Sequence, residues 1–236
     1  MTQISRNLED IKRRIREAAL TAGRDPAEVR LVAVTKTVTL DRLQEAVAAG
    51  HTLFGENYIQ EARRKITVLG PGLIWHFIGH LQSNKAKAAV EFFDLIHSVD
   101  RLRLARALDQ AAARQGKVQK ILLQVNLAGE ASKSGTAPEA AQDLLREISR
   151  MPHLEVVGLM TMPPWFEEPE RVRPYFRALR ELRDRLRDMQ LVPGGLPELS
   201  MGMTGDFEVA VAEGATLVRI GTAIFGPRPG QGWTAR

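Results

Sequence analysis

The chain contains no cysteine among its 236 residues, so it can build neither a disulfide framework nor a thiolate metal site. No stretch approaches the ~18 consecutive apolar residues of a membrane span. Its opening, MTQISRNLEDIKRRIREAAL, alternates charged and apolar residues without a signal peptide's apolar core. A cytoplasmic protein without membrane contact is expected. Also missing is any basic stretch interleaved with aromatics, the footprint of a nucleic-acid surface. The formal net charge of +5, from 33 Lys and Arg against 28 Asp and Glu, is instead mixed with acids on helical patterns. Arg171 to Arg187 carries seven arginines, yet Arg177–Glu181, Arg180–Asp184 and Glu181–Arg185 stand at i,i+4. The same stretch places Val172, Phe176, Leu179, Leu182, Leu186 and Met189 at helical spacing, facing a core. A solvated helix face is expected there, and no nucleic-acid partner.

What is present is a repeating unit. Ile4, Leu8, Ile11 and Ile15 predict an opening amphipathic helix that ends near Gly23. Leu31-Val32-Ala33-Val34 is a short continuous apolar run, as in a strand covered on both faces in a parallel sheet. We expect that strand to reach Thr37 and to be followed by a helix from Thr39 to Gly50. Further strands are expected at Thr52–Gly55, Ile74–Gly79, Phe93–Ser98, Val118–Asn126, Leu154–Met160, Leu199–Gly202 and Leu217–Ile220. Helices alternate with them, including Glu56–Leu69, Arg101–Arg114 and Pro138–Arg150. Eight strands alternating with helices predict a closed (β/α)8 barrel of α/β class, one domain over residues 1–236, with an extra N-terminal helix. The competing fold, an open doubly wound sheet, wants a glycine-rich turn after its first strand. This chain has Lys36-Thr37-Val38 there.

In such a barrel the chemistry sits at the C-terminal ends of the strands. Lys36 ends the first strand, where an amine half out of water can titrate closer to neutral and attack a carbonyl. Taken alone, such a lysine is ordinarily a solvated charge. Barrels often bind phosphate through the loops after strands 7 and 8. There Ser200 offers a hydroxyl, and Gly202, Gly221 and Thr222 offer backbone N–H groups. Asp206 and Glu208 in the next helix would repel an anion, which places the phosphate nearer Gly221-Thr222 and Ser200. Arg219, inside the strand LVRI, needs a partner: a ligand's ring nitrogen, a carboxylate, or a structural Asp or Glu. His76 and His80 share one strand face but lack a third metal ligand, so no metal is expected. Lys133, in GEASKSG, is a second and weaker candidate nucleophile. A carbonyl-reactive lysine facing a phosphate cradle suits an aldehyde that carries a phosphate, which pyridoxal 5′-phosphate (PLP) does.

LVAVTKTV, LFGENYIQEA, WHFIGHLQSNK, VNLAGEASKSG, GLMTM and LSMGMTGDFEVAVAEGATLVRIGTAIFG resemble, in order from Leu31 to Arg228, the YggS/PROSC family of pyridoxal phosphate homeostasis proteins. The resemblance implies a barrel similar to the N-terminal domain of alanine racemase, with Lys36 as the internal aldimine. It implies phosphate contacts from Ser200, Gly221, Thr222 and the backbone near Gly202, and Arg219 facing the pyridine nitrogen. Asn57 and His80 match motif positions near the ring. The expected protein is a monomeric, non-catalytic carrier of PLP, with PLP-dependent apoenzymes as partners. An arginine donates to the ring nitrogen without leaving a proton on it, which weakens the ring as an electron sink. Alanine racemase adds a tyrosine base from a second domain. Here only ten residues follow Gly226, and the tyrosines are Tyr58 and Tyr175 alone. The alternative reading is a small racemase-like PLP enzyme with Tyr58 or His80 as base. A Schiff-base aldolase for a phosphosugar is more distant.

Overall fold

The computed structural model describes residues 1–130 and 134–227; Lys133 and the tail beyond Pro227 lie outside them. In chain order the elements are α1 (Gln3–Thr21), β1 (Arg30–Val34), α2 (Leu40–Ala48), β2 (Leu53–Glu56) and α3 (Ile59–Leu69). Then come β3 (Ile74–Phe77), α4 (Ala86–Phe92), β4 (Leu95–Val99), α5 (Leu102–Arg114), β5 (Gln119–Val125) and α6 (Ala141–Ile148). The chain continues through β6 (Leu154–Thr161), α7 (Arg173–Asp188), β7 (Glu198–Ser200), α8 (Phe207–Ala212), β8 (Leu217–Ile220) and α9 (Thr222–Phe225). The strands pair in parallel in sequence order, and β8 returns to β1 through Arg30–Leu217 to Ala33–Ile220, which closes the barrel. The expected α/β barrel with an added N-terminal helix is what forms.

The period-2 alternation of each strand divides the core into two layers. Val32, Leu53, Leu95, Leu122, Met160 and Leu217 fill the barrel. Neighbours on the other face, such as Leu31, Ala33, Phe54, Ile96, Leu123 and Leu159, pack under the helices. Each fully buried aliphatic side chain contributes on the order of 1.5–3 kcal/mol. Helix α1 is capped by the Thr2 hydroxyl, which accepts from Ser5 N–H at 3.2 Å, and buries Ile4, Leu8, Ile11, Ile15 and Ala19. It lies against α2, α8 and α9, and so covers the seam between the last strand and the first. Among the described residues, no helix is long and apolar enough to cross a membrane.

Several boundaries differ from the sequence expectation, at the ends of strands that meet C-terminal loops and also at the start of β4, which begins at Leu95 rather than Phe93. β1 stops at Val34 rather than Thr37, because the chain turns through Thr35–Val38, closed by Val38 N–H to Thr35 O at 3.0 Å. β3 stops at Phe77, not Gly79, and α3 begins at Ile59, not Glu56. Residue 138–140 and 169–172 turns of 3-10 type, each led by a proline, precede α6 and α7. The arginines of α7 do not form the expected i,i+4 pairs. Arg173, Arg177 and Arg180 converge instead on Glu213, just after α8, at 2.9, 3.3 and 3.1 Å. Burial alone would push the Glu213 carboxyl up, but its arginine partners hold it below the usual range. A carboxylate set between two helices outcompetes neighbours on one helix, because the fold desolvates it. Met189 also departs from expectation: it ends the stripe 44% exposed.

Candidate functional site

The C-terminal mouth of the barrel collects the expected residues at two levels. At the rim, Lys36 follows β1 inside the Thr35–Val38 turn and is half-buried. Next to it, Gly221 and Thr222 follow β8. The two segments meet because Gly221 packs on the end of β1: a Cβ there would stand 3.2 Å from Val34 O and 3.3 Å from Val34 Cβ. Lys36, Thr37 and Thr39 line one cavity with Gly221 and Thr222. Its volume of about 80 Å³ is well above the ~10–15 Å³ that admits one water. Arg42 from α2 closes its back, donating to Phe225 O. A carbonyl-reactive amine and a cradle of N–H and hydroxyl groups therefore share one concavity.

One layer deeper, the interior is polar. Arg219 points into the barrel and is 4% exposed. Among the described residues no carboxylate is within ion-pair distance of it; its guanidinium donates to Ser200 Oγ at 2.5 Å and to Thr161 O at 2.9 Å. Ser200 Oγ also meets His97 Nδ1 at 2.9 Å, and His97 Nε2 meets His76 Nδ1 at 3.0 Å. Burial lowers Arg219 to about 10, partly offset by Asp206, so the guanidinium stays protonated at neutral pH. Burial, with Arg30 adding repulsion, lowers His76 to about 3; burial, His76 and Arg219 push His97 well down. Both rings are therefore neutral, each with one donor and one acceptor nitrogen. The chain of bonds can run from Ser200 toward His76 or the reverse. Only in the second direction does the Ser200 hydroxyl keep its proton for a ligand.

The remaining candidates divide. Gly202 is buried with φ of 91°, and a Cβ on it would lie 2.6 Å from Ala210 Cβ. Its glycine is required by the turn into α8, and its carbonyl accepts from Arg219 N–H at 3.0 Å. Asp206 turns back onto Met203 N–H at 2.6 Å, and burial raises its pKa. Asn57 is half-buried at the end of β2, with an Oδ1 that has no partner among the described residues. His80 is exposed and meets Ser134 Oγ at 2.9 Å. The expected strand face shared by His76 and His80 does not form: His76 faces inward, while His80 lies beyond the shortened β3. No group of three or more His, Asp or Glu among the described residues is placed to hold a metal. Sequence reasoning missed His97, although it stands two residues after the inward-facing Leu95 in β4, which marks it as inward-facing. It also missed Glu56 and Lys65, which lie under the Lys36 turn.

These features define a lysine-bearing parallel barrel with a polar interior, and the comparisons with known proteins agree. The chain matches the family described as alanine racemase, N-terminal domain, over residues 6–229. It is 48% identical over 229 residues to the pyridoxal phosphate homeostasis protein of Pseudomonas aeruginosa, covering 97% of each chain. The protein of the same name from Aquifex aeolicus is 46% identical over 227 residues, covering 96% of this chain and 97% of that one. Among solved structures, PipY of Synechococcus elongatus with PLP bound is 38% identical and superposes with a TM-score of 0.83, covering 94% of this chain and all of that one. The chain belongs to the family of pyridoxal phosphate homeostasis proteins.

Proposed function

We propose that this chain binds PLP covalently at Lys36 and serves intracellular PLP homeostasis by holding the cofactor and handing it over, without obligatory catalysis. The cavity that Lys36 shares with Gly221 and Thr222 carries this reading. Its relatives' names and the PLP bound to PipY support it. The donor set suits the group. Bound, PLP supplies an aldehyde that condenses with an amine and a conjugated ring that absorbs visible light once joined to it. Thr222 and the N–H groups of residues 221–222 take the phosphate, beside the Lys36 turn. Arg219 donates to the ring nitrogen and, remaining protonated, leaves no proton there. Ser200 fixes Arg219 and reaches the phosphate only when His97 donates to it. Asn57, whose Oδ1 has no partner among the described residues, and His80 at the rim complete the ring's surroundings, and the backbone near Gly202, whose carbonyl accepts from Arg219 N–H, adds to the phosphate contacts. We infer a single cytoplasmic domain over residues 1–236, monomeric, with PLP-dependent apoenzymes as recipients.

The purified protein, loaded with PLP, is expected to absorb in the visible, and Lys36→Ala to abolish the band. Borohydride followed by peptide mapping should fix the cofactor to Lys36. An unchanged band in Lys36→Ala, or label on Lys133, would overturn the assignment.

A further inference from the structure

Beneath the turn that carries Lys36, on the helix side of the barrel wall, lie three charged groups that the reading above does not use. Lys65 of α3 is 4% exposed. Its ammonium donates to Thr35 O at 2.6 Å, Glu56 Oε1 at 2.7 Å and Glu61 Oε1 at 2.7 Å. Three donors meet three acceptors. Glu56 Oε1 also accepts from the Thr35 hydroxyl at 2.6 Å, and Glu61 Oε1 from Thr37 N–H at 2.6 Å. The cluster thus grips the residue before Lys36 and the residue after it. Thr37 itself has a φ of 63°, a left-handed conformation that a β-branched residue adopts only when its surroundings impose it.

A buried ion cluster is a poor way to gain stability, since well-packed apolar side chains of similar volume do as well or better. What it supplies and apolar packing does not is direction: one donor aimed at the Thr35 carbonyl and one acceptor aimed at the Thr37 amide. We propose that Lys65, Glu61 and Glu56 are positioning residues for Lys36, holding its backbone on both sides in the left-handed turn so that its amine is presented to the cavity. Lys65 and Glu61 act on the backbone directly. Glu56, fully buried with one oxygen unpartnered among the described residues, fixes Lys65 and the Thr35 side chain. The proposal rests on Lys36 being the residue that bears the cofactor.

The test uses Lys65→Met, Glu61→Ala and Glu61→Gln, each with a cofactor-free and a loaded readout. Without cofactor, residue-resolved amide exchange should show Thr37 N–H exchanging about tenfold or more faster in Glu61→Ala, while β5 and β6 amides keep their protection. On loading, covalent attachment at Lys36 should slow by about tenfold in Lys65→Met and Glu61→Ala, and the pH midpoint of the visible band should shift. Glu61→Gln, whose amide oxygen still accepts from Thr37, should return both readouts most of the way. Wild-type Thr37 exchange and attachment rate in Glu61→Ala would overturn the proposal. So would a lower melting temperature with attachment rate and band unchanged, the mark of a merely structural role. Should Lys65→Met fail to fold, the Glu61 pair decides alone. If the wild type forms no adduct, the Lys36 reading falls, while exchange in the cofactor-free protein still decides the clamp.

Discussion

Acid should destabilise this protein from about pH 6.5 downward, and the histidines behind the site provide the reason. Burial lowers His51 to about 4 and His76 to about 3, and burial with its charged neighbours pushes His97 far down. In the unfolded chain each returns to about 6.5. Above that pH both states are neutral and the histidines add nothing. Below it the unfolded chain takes up protons that the native protein refuses, so stability falls as pH falls. Each histidine costs ~1.4 kcal/mol per pH unit across the window from about 6.5 to about 4, and three together ~4 kcal/mol per unit. Glu56 and Asp206, raised by burial, act in the opposite direction: the native protein keeps protons there that the unfolded chain releases. A variant comparison removes that offset. The His51 ring bonds Leu53 O at 2.8 Å and lies outside the interior network. Urea unfolding of wild type and His51→Gln between pH 5 and 8, followed by circular dichroism, should differ in slope by ~1.2 kcal/mol per unit between about pH 5 and 5.5. Proton uptake on unfolding at pH 5.5 should drop by about 0.9 per chain. The comparison reads the slope, so any constant loss from the substitution is irrelevant. Equal slopes, with equal proton uptake, would refute the claim that burial keeps these rings neutral.

Thr222→Ala should weaken PLP retention by about 1.5–3 kcal/mol, one hydrogen bond to a charged phosphate, while attachment at Lys36 persists; equilibrium dialysis at wild-type affinity would move the phosphate elsewhere. Ser200→Ala should also weaken retention, and it should lower folding stability by about 1–3 kcal/mol because Arg219 and His97 lose a buried partner. Glu213→Gln should cost about 1–3 kcal/mol in urea unfolding at pH 7, since Arg177 and Arg180 would lose the carboxylate they share while Arg173 keeps Glu170. Loaded protein incubated with L- or D-amino acids in deuterium oxide should exchange α-protons more slowly than ~1 s⁻¹, the low end of ordinary turnover; faster exchange by NMR would favour the racemase-like reading.

The barrel was legible because its signal is periodic. Eight apolar runs, each too short for a helix and each followed by a 3.6-residue pattern, leave few ways to bury both faces. LVRI was bounded correctly because the glycine at 221 ends it. TLFG and IWHFIG were not, because a strand ends where pairing ends, and pairing depends on the neighbouring strand's loop. The rim candidates Lys36, Gly221 and Thr222 were also readable, since barrel topology alone puts strands 1 and 8 side by side. What could not be read was the second partner of each polar group. Ser200 looks like an available hydroxyl until His97 and Arg219, 103 and 19 residues away, are seen on the same atom. Glu56 and Lys65 read as ordinary helix charges. Their burial follows from the Lys36 turn folding over α3, a tertiary event with no local signature.

Holding a carbonyl cofactor and using it on amino acids differ in one requirement: a base at the substrate α-carbon and a sink to receive the charge. The described residues around the mouth can be sorted by that requirement. Arg219, lowered only to about 10, stays protonated; in the site proposed above it would give the ring nitrogen a hydrogen bond without its proton, and the sink would be weak. Tyr58 is 57% exposed and lines a groove with Val38, Leu40, Gln60 and Arg64, outside the cavity of Lys36. Tyr175 stacks on Phe166 at 5.9 Å. His76 and His97 are committed to each other and to Ser200, and such depressed pKa values make poor carbon bases. His80 faces solvent and meets Ser134 Oγ, away from the cavity of Lys36. Lys36 remains, an amine held in a fixed turn beside a phosphate-sized recess. One amine is enough to take a carbonyl and to surrender it to another amine, which is all that loading and release require. A second base, opposite the first, is what turnover would add, and no described residue lining that cavity offers one.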